Sequence, residues 1–393
     1  MTKLSNVSRN PKVNNHDDRI RVLHLIHTLE IGGAQKVIVN LIRGMDKSRF
    51  DLSTVCLRKK GPIYEEIKSM GGKVCQIPKK GKFDLSIVSR LKKHIQEEEC
   101  HILHTHNFSA GLWGRLAAME LKGRRPILVH TEHGRLGEVQ LWRKIIMRYL
   151  ARHTDMIVAV ADETRDYLLH SIKIPETRVI VIKNGIDLNY LLSRADQKVD
   201  TIDEILEKNP GARFIINVSA LSPVKDHATL LRAFKRLLIK LPDVHLLLVG
   251  DGPLRLELTK LASSLGIDGN VQFLGERHDI GAILAKSDIF VLSSLNEGTP
   301  ISLLEAMGMG VTPVVTSVGG LPEMIENTVN GLMVPPSDPA LLADAIRFTL
   351  ENPEYADEWA RKSKDMIRKE YTAEVMSEKH EELYLRLMSM KFK

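Results

Sequence analysis

Glu297 and Glu305 are the residues of this chain best suited to bind the hydroxyls of a sugar. Seven residues separate them within residues 293–305, which read Ser-Ser-Leu-Asn-Glu-Gly-Thr-Pro-Ile-Ser-Leu-Leu-Glu. A carboxylate accepts hydrogen bonds from two adjacent hydroxyls. The mostly apolar residues 288–292 predict a buried parallel strand, and Pro300 is suited to the start of a helix. The two glutamates are therefore predicted to lie in the loop and the helix that follow this strand.

The predicted helix start places an anion site beside these carboxylates. The first backbone N–H groups of a helix lack partners, and its dipole is positive at that end. Such a site suits a phosphate, or the negative charge that develops on a leaving diphosphate. We therefore predict a nucleotide-sugar ligand, with its diphosphate at the helix start and its hydroxyls on Glu297 and Glu305.

These residues and those that follow them resemble the donor-site signature of glycosyltransferase family 4, whose members are retaining enzymes of the GT-B fold. The signature continues through residues 306–310 (Ala-Met-Gly-Met-Gly) and 319–323 (Gly-Gly-Leu-Pro-Glu). The resemblance extends from about Arg19 to about Tyr384. It implies an α/β protein with two Rossmann-like, doubly wound parallel-sheet domains that face each other across a cleft, and a C-terminal helix that crosses back to the first domain.

The resemblance also implies roles for individual residues. Catalytic roles fall to His133, Glu297 and Lys225, with His133 near the reacting centre of the donor sugar. Glu305 would bind the ribose, and Lys225 the diphosphate. The other implied donor-binding residues are Gly33, Ser219, Gly250, Glu276, Arg277, Gly298, Thr299, Pro300 and Ile301, and the implied acceptor-binding residues are Gly32, His106 and Asn107.

One departure from the family pattern concerns the cations that neutralise the leaving diphosphate. Relatives typically carry Arg where this chain has Ala220 and Lys where it has Lys225. A missing positive charge in a dry cleft should slow catalysis. The hypothesis is that the hydroxyl of Ser219 or Ser222, or the guanidinium of Arg277, compensates for it.

Two histidines raise the alternative of a metal site. His104 and His106 lie two residues apart, which places them on one face of a predicted strand. No third ligand follows at a useful spacing, and the chain contains no Asp-x-Asp sequence. We therefore predict a site without a metal and no cofactor besides the nucleotide-sugar substrate.

The chain is long enough for two domains, because 393 residues exceed what one core usually supports. Strand and helix signals alternate twice along it, as expected of parallel sheets with helices on both faces. Ligands of such sheets bind beyond the carboxyl ends of the strands. We predict a disordered tail (1–18), an acceptor-binding domain (19–195), a nucleotide-sugar-binding domain (204–370) and a crossover helix (371–393), with residues 196–203 as the linker.

The two halves of the chain differ in charge. Residues 1–200 hold 35 Lys and Arg against 22 Asp and Glu, whereas the rest hold 21 against 27. A basic first half favours an anionic partner, such as a membrane surface or a lipid-phosphate acceptor. Nucleic acid is a weaker interpretation, because the basic residues alternate with apolar ones and no DNA- or RNA-binding motif is present.

The segment from Leu141 to His153 predicts a helix with Lys144, Arg148 and Arg152 on one side and apolar side chains on the other. In one interpretation the apolar side packs into the core and the basic side is solvated. In the other, the helix docks on anionic lipid. No apolar run approaches the roughly 20 residues of a membrane span. The three cysteines lie in apolar segments, so we predict a reduced, cytoplasmic protein, peripheral on the inner face of the plasma membrane if the helix docks.

The sequence thus predicts a retaining glycosyltransferase that moves a sugar from a nucleotide diphosphate, with UDP favoured over GDP, to a hydroxyl of a lipid-linked or polysaccharide acceptor. Two alternatives remain open. A GT-B epimerase would act on the nucleotide-sugar without an acceptor. A non-catalytic subunit would bind the donor or a glycan without turnover, and its support is Ala220 in place of the family's Arg.

Overall fold

The computed structural model describes residues 19–81, 84–134 and 140–391. The predicted tail, residues 1–18, lies outside the described residues. The described chain contains two parallel β-sheets with helices packed around them, as the alternating strand and helix signals predicted. Both sheets are doubly wound, since each extends in both directions from its first strand.

The first sheet has seven strands, in the spatial order β3-β2-β1-β4-β5-β6-β7, and all neighbouring pairs are parallel. Its central strands β4 and β5 are buried along their whole length, and each begins with apolar residues and ends with polar ones. The strands are β1 (Ile20–Ile26), β2 (Phe50–Cys56), β3 (Lys73–Gln76), β4 (Ile102–His106), β5 (Ile127–Glu132), β6 (Met156–Ala159) and β7 (Val179–Val181).

The helices of this half connect successive strands. Residues 167–171 continue the short sixth helix as one turn of π-helix. The helices are α1 (Gly33–Gly44), α2 (Gly61–Ser69), α3 (Ser86–Glu97), α4 (Asn107–Met119), α5 (Leu141–Ala151), α6 (Asp162–Asp166) and α7 (Leu188–Leu192).

The second sheet has six parallel strands in the order β10-β9-β8-β11-β12-β13. Its strands are β8 (Arg213–Val218), β9 (Val244–Val249), β10 (Val271–Gly275), β11 (Ile289–Leu292), β12 (Thr312–Thr316) and β13 (Leu332–Val334). The helices of this half are α8 (Asp200–Lys208), α9 (His227–Leu238), α10 (Arg255–Ser264), α11 (Ile280–Ala285), α12 (Ile301–Met309), α13 (Pro339–Glu351), α14 (Pro353–Glu370) and α15 (Ala373–Lys391).

Helix α15 returns from the second half to the first. It packs against α1 and β5, and its Glu381 carboxylate accepts a 2.8 Å hydrogen bond from the backbone N–H of Asp46. A cluster of buried apolar side chains contains residues of both halves, among them Val22, Val129 and Leu304. The two halves are therefore packed together by a shared core as well as by α15.

The predicted linker is partly helical. Residues 200–203 form the first turn of α8. Ile202 is fully buried and Ile205 packs on the shared core, so this polar stretch carries an apolar face that its composition concealed. None of the described helices combines the length and apolar character needed to cross a membrane.

Candidate active site

A cleft of about 400 Å³ lies at the carboxyl ends of the strands of both sheets. Loops after β1, β5, β8, β9 and β11 contribute to its lining. Its size suits a small-molecule ligand. The predicted site residues that line it are Gly32, Gly33, His133, Ser219, Lys225, Gly250, Glu276, Arg277, Glu297, Gly298, Thr299, Pro300, Ile301 and Glu305.

Glu297 is buried and ion-paired at one wall of the cleft. Its Oε1 accepts hydrogen bonds from Lys225 Nζ at 2.6 Å and from Ser294 Oγ at 2.6 Å. A buried carboxylate requires such partners, since removing a charge from water is costly unless it is paired. Lys225 comes from the short 3-10 helix at residues 223–225, so a second loop holds the carboxylate in place.

Glu305 faces the cleft from the second turn of α12 and is half-buried. Burial raises the pKa of its carboxyl to about 7, while the charge of Lys36 acts in the opposite direction and that of Glu66 adds to the rise. A ligand that donates hydrogen bonds to the carboxylate would stabilise its charged form.

The amino end of α12 also opens on the cleft. Pro300 is extended and precedes the helix, and no side chain of the described residues caps this end. The backbone N–H groups at Ile301 and Ser302, which both line the cleft, belong to the first turn, where a helix has no internal acceptors for them. This end of the helix is therefore suited to an anion.

The loop that carries Glu297 passes so close to other segments that two positions require glycine. A Cβ on Gly298 would lie 2.9 Å from the carbonyl oxygen of His133, across the cleft. Gly319 has a φ of +55°, and a Cβ there would collide with the carbonyl oxygen of Glu297. These glycines let the Glu297 loop touch the end of β5 on one side and the loop after β12 on the other.

Thr299 ties the same loop to the first half of the chain. Its Oγ1 donates a 2.9 Å hydrogen bond to the carbonyl of Val160, and its own carbonyl accepts one from Asn184 Nδ2 at 3.2 Å. All three residues are buried. The cleft is therefore closed on this side by contacts between the two halves.

Glu323, the last residue of the signature, forms a second link between the halves. Its carboxylate accepts hydrogen bonds from the backbone N–H groups of Asp162, at 2.9 Å, and Glu163, at 2.6 Å. These are the first residues of α6. A carboxylate from the second half thus caps a helix of the first half.

Comparison with known proteins places the chain in a family. Residues 31–190 match the model described as Glycosyltransferase Family 4, and residues 198–366 match the model described as Glycosyl transferases group 1. The putative glycosyltransferase EpsF of Bacillus subtilis (strain 168) is 30% identical over 305 residues, which cover 75% of this chain and 79% of EpsF. The chain belongs to glycosyltransferase family 4.

Two further proteins are similar to this glycosyltransferase, one with a named activity and one with a bound ligand. The UDP-Gal:alpha-D-GlcNAc-diphosphoundecaprenol alpha-1,3-galactosyltransferase of Escherichia coli is 28% identical over 334 residues, which cover 81% of this chain and 85% of that protein. The crystal structure of Anabaena Alr3699/HepE in complex with UDP-glucose superposes with a TM-score of 0.81, at 20% identity, over 94% of this chain and 99% of HepE. The second likeness shows that the fold is GT-B.

The glycosyltransferase has cations in its cleft that the sequence motifs did not indicate. Lys36 and Arg43 of α1 both line it. Arg43 pairs with Glu66 at 3.0 Å and lies 4.2 Å over the ring of Tyr190. The two residues are seven positions apart, and this spacing predicts that they share one face of a helix. The sequence did not indicate that this face is turned to the cleft.

The three hypothesised substitutes for the missing Arg differ in placement. Arg277 lines the cleft and is held by Asp279 through hydrogen bonds of 2.8 and 2.5 Å. Ser219 lines it as well, and its Oγ donates a 2.7 Å hydrogen bond to Asn217 Oδ1. Ser222 is not among the lining residues. Of the three, Arg277 is the one with a charged side chain, and its charge is paired with Asp279.

The predicted acceptor contact of His106 is wrong. His106 is fully buried, and its two ring nitrogens lie 3.0 Å from His24 Nδ1 and 2.9 Å from His133 Nε2. It therefore lies behind His133 and does not reach the cleft. Asn107, the first residue of α4, has a φ of 62° and is likewise absent from the lining.

A third histidine joins the pair that was considered as a metal site. His24 of β1 is in register with His104 of β4, and the ring nitrogens of His24, His104 and His106 lie within 4.8 Å of one another. Their spacing in the sequence could not reveal this set, because neighbouring strands of a parallel sheet are far apart along the chain. The ring nitrogens of His104 are bonded to Tyr384 and Thr131, and those of His106 to His24 and His133.

Proposed function

We propose that this glycosyltransferase transfers a sugar from a UDP-sugar to an acceptor hydroxyl with retention of the anomeric configuration. The observation that carries the proposal is the wall formed by the Glu297–Lys225 pair, the open start of α12 and Glu305, all around one cleft. The UDP donor named for the Escherichia coli relative and the UDP-glucose bound to HepE support UDP as the nucleotide.

Each group has a defined task in this proposal. Lys225 and the first N–H groups of α12 bind the diphosphate and stabilise the charge that develops as it leaves. Glu297 and the backbone after Gly298 orient the sugar, and Glu305 accepts hydrogen bonds from the ribose hydroxyls. The leaving phosphate oxygen takes the proton of the acceptor hydroxyl, which attacks from the same face of the sugar. In this proposal Lys225 and the start of α12 supply the positive charge, and no metal takes part.

We propose a lipid-linked acceptor and an anionic membrane surface as the partner of α5. Much of the apolar side of this helix is exposed, since Leu141 is 73% and Ile145 60% exposed, although Ile146 packs on the core. Trp142 and Tyr149 are also exposed, and the basic Arg148 lies beside them. Exposed apolar and basic side chains on one helix are typical of an interfacial helix.

Thermal unfolding with UDP, GDP and ADP, each with and without magnesium, tests the donor site. A ligand at about 100 times its Kd adds about 2.7 kcal/mol to the free energy of unfolding. We expect UDP to raise the Tm equally in both conditions, and Lys225→Met to abolish the rise while the exposed Lys240→Met keeps it. A selective response to GDP would change the nucleotide, and a response that needs magnesium would contradict the metal-free site.

Product analysis separates the remaining alternatives. Incubation of the enzyme with UDP-sugars and no acceptor should leave the sugar configuration unchanged, as read by NMR spectroscopy. A changed configuration would favour the epimerase. Absence of a Tm response to all three nucleotides would favour the non-catalytic subunit.

A further inference from the structure

The turn that carries Lys225 has a strained backbone. Lys225 ends the short 3-10 helix at residues 223–225, and Asp226, which follows it, has a φ of 44° and a ψ of 48°. This left-handed conformation is uncommon for a residue with a side chain, although Asp adopts it more readily than most. Such conformations persist where the surrounding structure holds them, and they occur frequently at functional sites. The contacts around Asp226 therefore bear on the function of the turn.

The helix cap that Asp226 provides does not explain its conformation. Its carboxylate accepts hydrogen bonds from the backbone N–H of Thr229 at 3.3 Å and from Thr229 Oγ1 at 2.7 Å, at the start of α9. Residues that cap the start of a helix usually have an extended backbone. The left-handed turn is therefore held by contacts of the residues on either side of it.

A buried hydroxyl holds the turn on one side. Ser293 follows β11 and is fully buried, and its Oγ lies 2.9 Å from the carbonyl oxygen of Lys225 and 3.1 Å from that of Asp226. Since a carbonyl oxygen can only accept, the hydroxyl donates to this pair of carbonyls. The backbone N–H of Leu295 also donates to the carbonyl of Val224, at 2.8 Å. The turn is therefore attached to the loop after β11.

His227 holds the turn on the other side. It is the first residue of α9 and is 1% exposed. Its Nε2 lies 3.1 Å from Asn217 Oδ1 and 3.1 Å from Ser219 Oγ. Asn217 belongs to β8, and Ser219 follows that strand. The ring therefore attaches the start of α9 to the end of β8.

One carbonyl settles the donors and acceptors of this network. Asn217 Nδ2 lies 2.8 Å from the carbonyl oxygen of Val291, which can only accept, so the amide oxygen faces His227. Because an amide oxygen also only accepts, His227 Nε2 carries the ring proton, and Ser219 Oγ donates its proton to Asn217 Oδ1 at 2.7 Å. In the neutral ring Nδ1 then has only a lone pair, which agrees with its lack of a partner among the described residues. His227 is therefore the Nε2–H tautomer.

Neither His227 nor Ser219 supplies the positive charge that is missing at Ala220. Burial lowers the pKa of His227 to about 4, and the charge of Lys225 adds to this effect, so the ring is neutral at physiological pH. The hydroxyl proton of Ser219 is directed to Asn217 Oδ1, so it is not free for a phosphate oxygen. The cleft wall therefore depends all the more on the position of the Lys225 ammonium group.

We propose that the buried side chains on either side of the turn position Lys225. They hold the strained backbone so that the ammonium group stays on the cleft wall, where its Nζ lies 2.6 Å from Glu297 Oε1. Without them the backbone relaxes and the ammonium group moves away from the wall. The binding of the diphosphate by Lys225 rests on the proposed function. The positioning residues are Asn217, His227 and Ser293.

A network that only stabilises the fold is the competing account. It predicts that the loss of His227 lowers the Tm and affects UDP binding independently of Lys225. A double-mutant cycle distinguishes the two accounts, because residues that act through one another give non-additive effects.

The affinity for UDP, measured by titration and NMR spectroscopy, is the readout of this cycle. We expect Lys225→Met to weaken UDP binding about a hundredfold and His227→Phe about tenfold, within the range for hydrogen bonds to charged groups. In the double variant, His227→Phe should add no more than about twofold to the effect of Lys225→Met. A double variant about a thousandfold weaker than the wild type would overturn the proposal. Unchanged UDP binding in His227→Phe would do the same.

Conservative variants and a matched control separate this effect from a general loss of structure. His227→Gln keeps an N–H group for Asn217 Oδ1, so it should bind UDP within about twofold of the wild type. Ser293→Ala removes only a hydroxyl and should weaken UDP binding when Lys225 is present, but not in Lys225→Met. His245→Phe is the control and should bind UDP like the wild type, since His245 lies on β9 of the same sheet, outside the network. An equal loss in His227→Gln and His227→Phe would contradict the role of the ring N–H.

The position of Lys225 can also be followed without a ligand. Reductive methylation with ¹³C-formaldehyde labels the lysines and keeps their positive charge, and loss in Lys225→Met assigns the Lys225 signal. We expect this signal to shift toward that of a solvated lysine in His227→Phe and Ser293→Ala, and not in His245→Phe. An unchanged signal would refute the positioning. If the wild type did not bind UDP, or Lys225→Met bound it equally well, the proposed function would fail, while this spectrum would still decide what holds Lys225.

Discussion

Glu305 combines a proposed binding role with surroundings that disfavour its charge. Burial raises the pKa of its carboxyl to about 7, against an ordinary value of 4.5. Between these two pH values the unfolded chain has released this proton and the folded chain has not. Folding is therefore favoured by this group at low pH, and that contribution is lost as the pH rises through 7. The proposed ligand needs the charged carboxylate, and burial of that charge lowers the stability of the ligand-free protein at high pH.

The substitution Glu305→Gln should separate stability from binding. At pH 8 we expect the variant to be more stable than the wild type by about 2 kcal/mol in urea unfolding, because the neutral amide avoids the burial of a charge. The difference should disappear well below pH 4.5, where the wild-type carboxyl is protonated in both states. At pH 8 the variant should also lose the Tm response to UDP. Equal stability at pH 8, or a retained response to UDP, would count against the assigned environment and role of Glu305.

Individual site residues could be predicted where they lie close together in the sequence, within one strand–loop–helix segment. Glu297 and Glu305 were found in this way, and both line the cleft. Lys36, His24 and the true position of His106 were not found, because they depend on which strands become neighbours and which face of α1 meets the second half. That information lies in packing between distant segments and is absent from local spacing.

At the scale of secondary structure, the alternation of apolar strands and amphipathic helices was sufficient to predict two doubly wound sheets. Helix α5 shows the limit of periodicity. The pattern identified an apolar side and a basic side, but the helix rests on the protein through Met147, Leu150 and Ala151, and leaves Leu141 and Ile145 exposed. A hydrophobic side does not by itself show whether its partner is the protein core or a membrane.

The exposed face of α5 gives a prediction about membrane binding. We expect Leu141→Asp to reduce co-sedimentation with vesicles that contain anionic lipid, because it removes apolar contact and adds a negative charge. Leu256→Asp is the matched control, since Leu256 is 67% exposed on α10 in the other half of the chain. Equal sedimentation of both variants and the wild type, or indifference to anionic lipid, would refute α5 as the docking helix.

At the scale of the whole molecule, the cleft is closed by a few specific contacts as well as by the shared core. Thr299, which lines the cleft, and Glu323 both reach from the second half to the first. Both lie in the signature, which therefore also joins the two halves. The sequence could identify Glu323 as part of a motif, but its partner, the start of α6, became visible only in the structure.

The substitution Glu323→Ala should loosen the closed arrangement. Loss of a helix cap destabilises a protein by about 1 kcal/mol, and here the lost cap also joins the two halves. Asp338→Ala is the matched control, because Asp338 caps α13 entirely within the second half. We expect similar losses of stability in both variants, but a larger radius of gyration in X-ray scattering only for Glu323→Ala. An equal radius of gyration for the two variants would show that the contact of Glu323 with α6 does not hold the two halves together.

The return of α15 to the first half has a consequence for how the protein is made. Tyr384 bonds to His104, and Glu381 bonds to the backbone at Asp46, so the first half is completed by residues that are synthesised only after the second half. While the ribosome is still translating the second half, the surface that α15 will cover, with its buried polar histidines, is exposed. Domains generally fold in order as they emerge, and exposed apolar surface at that stage favours aggregation. The nascent chain therefore has to wait for α15, and removal of α15 should harm the folding of the first half before that of the second.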